Sequence, residues 1–199
     1  MLTINRVRFT TAMLLLVSAG CNRVAEDLPD SKRLFEKEPP AALLALGYVP
    51  EQIVAVEEGY LVDGDMLYTH DQMQELQSKH FIYGLASLVS YTNQANIRVW
   101  NDGLNSTWSS GLSQALSEWN SVTNCRINFV AGTSTSYDIR VYVRTPWPTI
   151  FGATCAVSPG PTSGIPGPVV QVNPAYVPQL SADAVKLLMV HELGHTIGF

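Results

Sequence analysis

Short apolar or alternating apolar–polar stretches recur along the chain, and such stretches predict β-strands. They cover residues 60–62, 66–68, 97–100, 126–130, 138–143 and 169–173. The first two flank Asp63-Gly64-Asp65, and an Asp-Gly pair between apolar runs is typical of a β-hairpin. Proline stands on both sides of residues 169–173. This favours an edge strand, because proline cannot donate a hydrogen bond to a neighbouring strand.

Two long helices are expected in the second half of the chain. The first begins at Ser106 or Thr107, and its apolar residues recur at spacings of three and four, which predicts one buried face. The second begins after Ser181, runs through residue 195 and ends near Gly198. Shorter helices are predicted at residues 41–46 and 69–79. Residues 144–168, rich in proline and glycine, are predicted to be a loop. The pattern indicates an α+β fold with a small twisted mixed sheet.

Composition and charge divide the chain into two regions. Hydrophobic residues make up 46% of the sequence, enough to bury a core, and the net charge of −5 argues against nucleic acid as a partner. Residues 22–80 contain 12 acidic and 5 basic residues, a net of −7, whereas residues 81–199 contain 5 of each. We therefore expect an acidic tether and possible propeptide over residues 21–80 and a separate folded domain over residues 81–199.

The N-terminus has the features of an export signal. Arg6 and Arg8 precede a short apolar run at residues 12–17, and small residues follow at 18–20. The run is too short to cross a bilayer. The arrangement resembles a bacterial lipoprotein signal, which implies cleavage after residue 20 and a lipid anchor on Cys21. An exported protein held at the outer membrane or cell surface is expected, and simple secretion is the alternative.

Two further cysteines, Cys125 and Cys155, remain if Cys21 carries a lipid. Outside the cytoplasm such a pair favours a disulfide. The alternative is two buried thiols that pack as small apolar side chains.

The motif that carries chemistry is HELGH at residues 191–195, an HExxH pattern at the end of the last predicted helix. Histidines four residues apart lie on one face of a helix, so His191 and His195 can bind one metal ion. Glu192 can take a proton from an attacking water without binding the metal. Zn²⁺ suits such a site, where three protein ligands leave one position open. The alternative is two surface histidines beside a solvated acid.

Gly198 extends this motif to HExxHxxG. Here the chain resembles the metzincin branch of zinc peptidases, whose motif is HExxHxxGxxH, and in particular the bacterial HEIGH-type metallopeptidases. The resemblance implies a zincin-like upper subdomain and a zinc endopeptidase that acts on peptide or protein substrates. It also implies a third histidine at the second position after Phe199, and hence a truncated catalytic domain. A truncated homologue without activity, which binds at most metal or peptide, is the alternative.

The resemblance further implies that substrate backbone pairs with the edge strand above the zinc helix. In this chain that strand would comprise Val169, Val170, Gln171, Val172 and Asn173. An ordinary edge strand packed on a loop is the alternative.

The acidic segment is a candidate propeptide that would keep the protein inactive until it is removed. If residues 40–79 form a propeptide, Asp63 or Asp65 would occupy the open metal position in the latent form. The simpler interpretation is that both are solvated residues of a hairpin turn. His70 and His80 lie isolated in this region and are expected to be surface or helix-cap residues rather than metal ligands.

Overall fold

The computed structural model describes residues 39–78 and 88–199. The predicted export signal, Cys21, most of the tether and His80 therefore lie outside the described residues. Within the described part, no helix combines the length and the apolar character needed to cross a lipid bilayer.

The described residues form four α-helices and one mixed sheet of eight strands, which confirms the α+β class. The helices are α1 (Ala41–Ala45), α2 (His70–Ser78), α3 (Ser106–Asn120) and α4 (Ala182–Ile197). The strands are β1 (Ile53–Val56), β2 (Gly59–Val62), β3 (Met66–Thr69), β4 (Ile97–Asp102), β5 (Phe129–Ala131), β6 (Ile139–Val143), β7 (Ala156–Pro159) and β8 (Val169–Val172). Their order across the sheet is β1-β2-β3-β7-β8-β6-β4-β5.

The N-terminal part of the sheet is an antiparallel meander of β1, β2 and β3. The turn between β2 and β3 is the predicted hairpin, and both Asp63 and Gly64 adopt positive φ, as tight hairpin turns require. β3 then pairs in parallel with β7 through Met66↔Ser158 and Leu67↔Pro159. This short ladder joins the meander to the rest of the sheet.

β7 lies inside the segment that the sequence predicts to be a loop. All four of its residues are buried. A strand buried on both faces shows no alternation of apolar and polar residues, and the surrounding prolines and glycines conceal a run of only four residues. β7 is antiparallel to β8, while β8, β6, β4 and β5 are parallel neighbours.

The prediction that residues 169–173 form an edge strand is wrong. β8 pairs with β6 on one side and β7 on the other, so substrate backbone cannot add to it. The flanking prolines fall outside the ladder, which removes the reason for placing the strand at an edge. Four of the five residues predicted to bind substrate lie in this interior strand: Val169, Val170, Gln171 and Val172. The fifth, Asn173, caps the next turn by accepting a hydrogen bond from the backbone N–H of Ala175 at 3.0 Å.

The main core lies between the parallel strands and helices α3 and α4. The apolar face predicted for α3 is buried, with Trp108, Leu112 and Ala115 at its centre. The two helices approach closely where Gly111 faces Val185. A Cβ atom at Gly111 would lie 2.5 Å from Val185 Cγ1, so a larger residue would force the helices apart.

The predicted Cys125–Cys155 disulfide is also wrong. Cys125 is an exposed free thiol in the segment leading to β5, whereas Cys155 is buried just before β7. Three strands separate β5 from β7, which places those two strands about 19 Å apart. A disulfide needs Cα atoms within about 7 Å of each other.

Candidate metal centre

Helix α4 carries the HExxH motif and is fixed at both ends. Ser181 Oγ accepts a hydrogen bond from the N–H of Ala184 at 3.3 Å, which caps the N-terminus. Gly198 ends the helix in a left-handed conformation with φ of 101°. Buried Val185, Met189 and Leu193 anchor the opposite side of the helix in the core. The orientation of the motif therefore follows from caps and packing that the sequence encodes.

The imidazole rings of His191 and His195 converge at the surface of this helix. Their Nε2 atoms lie 2.9 Å apart. Two nitrogens bound to one tetrahedral zinc ion at about 2.05 Å would be separated by about 3.3 Å, so the pair needs little adjustment to hold such an ion. The predicted pairing of the two histidines is thus present in the structure.

The turn at the end of α4 orients one of these rings. Beyond Gly198 the chain doubles back, and the Phe199 N–H donates to the carbonyl of Gly194 at 2.9 Å. The carbonyl of Phe199 then lies 3.0 Å from His195 Nδ1. With the proton on Nδ1, the Nε2 lone pair of His195 is directed toward His191 and is free to bind a metal.

Glu192 occupies a buried position beside the two rings. Its Oε2 accepts a hydrogen bond from Ser158 Oγ at 2.7 Å. Its Oε1 is buried and has no hydrogen-bond partner among the described residues. Burial raises the pKa of Glu192 to about 7. An orphaned carboxylate oxygen with a near-neutral pKa suits a group that must accept a proton from a water.

Ser158 is a site residue that the sequence analysis missed. It lies in β7 and is fully buried. Nothing in its local sequence links it to a residue 34 positions away. Its role depends on β7 packing against α4, which becomes visible only in the folded chain.

Asp65 is a third charged residue at this centre, contrary to the expectation of a solvated turn. One of its carboxylate oxygens, Oδ2, lies 2.9 Å from His191 Nε2, and the other, Oδ1, lies 3.7 Å from His195 Nε2. Among the described residues these three side chains are the one group whose ligand atoms come close enough to hold a metal ion, all within 4.8 Å of one another. Asp63, in the same turn, is exposed and accepts a hydrogen bond from Gln52.

The carboxylates and imidazoles at the centre shift one another's pKa values. Burial alone would raise the pKa of Asp65, but the hydrogen bonds and charges of the two histidines hold that pKa far below its usual range. Burial alone would lower the pKa of His195, yet contact with Asp65 and the charge of Glu192 raise it. A cluster that keeps a carboxylate ionised beside two imidazoles has the donor set that a divalent cation prefers.

Structural roles account for two further predicted residues, His70 and Gln171, and for Gly194 of the motif. Exposed His70 lies at the start of α2, where its Nε2 is 2.9 Å from the carbonyl of Glu57, as a surface or cap residue should. The side chain of Gln171 accepts a hydrogen bond from Arg144 at 2.6 Å. Gly194 lies opposite Trp119, and a Cβ atom there would be 3.4 Å from Trp119 Cζ2, an ordinary contact.

Comparison with known proteins agrees with this geometry. No curated protein shows a significant match to the chain. A family model described as a dual-action HEIGH metallo-peptidase matches residues 60–199, a range that contains the hairpin acid, Ser158 and the HExxH motif. The chain therefore belongs to the HEIGH metallopeptidase family.

Proposed function

We propose that this protein is a zinc-dependent endopeptidase in which His191 and His195 bind the metal and Glu192 is the general base. The observation that carries the proposal is the convergence of both Nε2 atoms beside a buried glutamate whose Oε1 has no hydrogen-bond partner in the described chain. Zinc accords with a donor set of imidazoles and a carboxylate, which it binds at about 2.0–2.2 Å. Family membership supports metallopeptidase chemistry.

The proposed reaction is hydrolysis of a peptide bond. Zinc, when bound, would polarise the substrate carbonyl and make a water acidic enough to react at neutral pH. Glu192 Oε1 takes a proton from that water as the water oxygen bonds to the carbonyl carbon. Glu192 then passes the proton to the amide nitrogen as the C–N bond breaks. Because burial raises its pKa to about 7, Glu192 can both accept and release a proton near neutrality.

Exclusion of water supports Glu192 in this role. The side chain is only 1% exposed, so bulk solvent does not compete for its oxygens. Ser158 Oγ holds one oxygen, which leaves the other without a partner among the described residues and available to a water. A carboxylate held in this way loses little entropy when it meets the substrate, and such preorganisation lowers an activation barrier.

We also propose that the mature protein acts outside the cytoplasm, anchored to a membrane through a lipid on Cys21. The support is the charged, apolar and small-residue pattern of residues 1–20. Replacement of Cys21 with serine should move the protein from the membrane fraction to the soluble exported fraction. Retention of this variant in the membrane fraction would argue against a lipid anchor.

The decisive test of the peptidase proposal is Glu192→Gln. Glutamine keeps the size of the side chain but cannot accept the proton, so cleavage of casein by zinc-loaded protein should fall about 10²–10⁴-fold while bound zinc stays stoichiometric. Glu118→Gln, a change at an exposed acid of α3, is the matched control and should leave cleavage unchanged.

Two results would contradict the proposal. Equal cleavage by wild type and Glu192→Gln would mean that the activity comes from another group or from a contaminant. Stoichiometric zinc without any peptide hydrolysis by the wild type would instead support the alternative of an inactive homologue that only binds metal or peptide.

A further inference from the structure

Asp65 reaches the histidine pair from a part of the chain distant in sequence. It is separated from His191 by 126 residues and lies in the turn that connects β2 and β3, whereas both histidines lie on α4. Its side chain is 31% exposed, so it lies at the rim of the site, open to an ion from solvent. The contact is therefore made by tertiary packing.

Hydrogen bonds from β7 and the residues just before it hold the backbone around Asp65. Thr154 Oγ1 donates to the carbonyl of Gly64 at 2.6 Å, and the N–H of Ser158 donates to the carbonyl of Asp65 at 3.2 Å. On the hairpin side, Gln52 Nε2 donates to Asp63 Oδ1 at 2.6 Å. These bonds fix the turn on both sides, so the carboxylate is directed at the histidines before any ion binds.

We propose that Asp65 is a protein ligand of the metal, so that one ion binds helix α4 and the β2–β3 hairpin together. This inference rests on the proposed zinc site and adds to it a ligand from the N-terminal part of the chain. A carboxylate oxygen is an ordinary zinc donor beside imidazole nitrogens. Its oxygens already lie 2.9 and 3.7 Å from the two Nε2 atoms, close to the spacing of donors around one ion.

The simpler interpretation is that Asp65 forms an ion pair with protonated histidine and does not bind a metal. A partly exposed ion pair contributes little to stability, about 0–1 kcal/mol. Because a proton and zinc compete for the same imidazole nitrogen, loss of an ion pair to protonated histidine should not weaken zinc binding. A ligand, in contrast, must change both the affinity for zinc and the mobility of the hairpin when zinc binds. These two measurements separate the interpretations.

The first measurement is zinc affinity, determined on the full chain by competition with a chromogenic chelator. Asp65→Asn should weaken zinc binding by about 100-fold or more, because even residues that only contact a ligand typically account for 10–100-fold. Asp63→Asn is the matched control: it removes the charge of an exposed acid in the same turn, keeps the Oδ1 that accepts from Gln52, and should leave the affinity within about twofold of wild type. His191→Ala defines the loss expected when a ligand of the proposed zinc site is removed.

The second measurement is hydrogen exchange of the backbone amides with and without zinc. Zinc should slow exchange in residues 60–69 of the wild type and of Asp63→Asn, and it should not do so in Asp65→Asn. This readout does not depend on peptide hydrolysis.

The outcomes distinguish the two proposals. If wild type binds zinc and Asp65→Asn binds it as tightly, Asp65 is not a ligand and the inference is wrong, while the zinc site stands. Slowed exchange confined to α4 leads to the same conclusion. If wild type binds zinc no better than His191→Ala, both the zinc site and the role of Asp65 are rejected.

Discussion

At the scale of single residues, the hydroxyl of Ser158 and the carboxylate of Glu192 form the buried polar contact that lies beside the histidines. The hydroxyl proton favours the ionised form of the acid, so it opposes the effect of burial on the pKa of Glu192. The balance of these two effects sets the fraction of Glu192 that is ionised, and therefore able to accept a proton, at neutral pH.

Ser158→Ala should therefore impair the proposed reaction without removing any reacting group. Loss of the hydrogen bond raises the pKa of Glu192 further, so the acidic limb of the pH profile of kcat/KM should move to higher pH. Activity at pH 7 should fall about tenfold or more, because a hydrogen bond to a charged group contributes about 1.5–3 kcal/mol.

The control for that change is Ser158→Thr, which keeps the hydroxyl and should restore the position of the acidic limb. A uniform fall in rate at every pH in the alanine variant would show that Ser158 only supports packing.

The residues of the site differ in how far the sequence could reveal them. His191, Glu192 and His195 could be predicted because the helix alone sets their relative positions, one turn apart. Asp65 was named only as one of two acids that would occupy the metal position in a latent form, and Ser158 was missed, since both reach the site through the pairing of β3 with β7. That ladder depends on tertiary contacts and has no periodic signal in the sequence.

At the scale of elements, helices were easier to predict than strands. Capping residues and apolar spacing mark the ends and the buried face of α3 and α4. The hairpin was predicted from its Asp-Gly turn. β7 and the interior position of β8 were missed. A strand buried on both faces shows no alternation of apolar and polar residues, so β7 could not be told from a loop. Flanking prolines occur beside edge strands and central strands alike, so they did not reveal the position of β8.

The contact between α3 and α4 sets the position of the histidines relative to the sheet, and Gly111 sets the closeness of that contact. Gly111→Ala should lower the free energy of unfolding by about 1–3 kcal/mol. Its Cβ atom would lie 2.5 Å from Val185 Cγ1 and 2.9 Å from the carbonyl oxygen of Ala182. This clash should outweigh the gain of about 1 kcal/mol that alanine brings to a helix interior.

Gly194→Ala is the matched change for this prediction. The same substitution in the next helix meets Trp119 at an ordinary 3.4 Å and should leave stability equal or slightly increased. Urea denaturation of both variants measures the difference. Similar stability of the two variants would contradict the close-contact explanation.

At the scale of the whole molecule, residues 39–78 pack against the rest of the chain through the β3–β7 ladder, a buried apolar cluster of Leu61 and Leu67 with Val157, and several polar contacts. The buried side chain of Gln72 donates to the carbonyl of Gly160 at 2.6 Å and accepts from the N–H of Thr69 at 2.7 Å. Arg144 pairs with Glu58 at 2.5 Å. That residues 40–79 form a removable propeptide stays a prediction.

Gln72→Leu should therefore loosen the attachment of the N-terminal part. The change leaves a buried carbonyl and a backbone N–H without their partners, which should cost about 1–3 kcal/mol in the free energy of unfolding. Gln74→Leu, at an exposed position of the same helix, should cost less than about 0.5 kcal/mol. Equal midpoints of urea denaturation for the two variants would show that the Gln72 contacts contribute nothing to stability.

The two-residue ladder between β3 and β7 has a consequence for access to the histidines. β7 is flanked by β8 on its inner side, so its outer side is where an extended peptide could add a strand next to α4. At Ser158 and Pro159 that side is already paired with Met66 and Leu67. A polypeptide that adds a strand at these two residues must therefore displace β3, and because the ladder is short, few hydrogen bonds have to break.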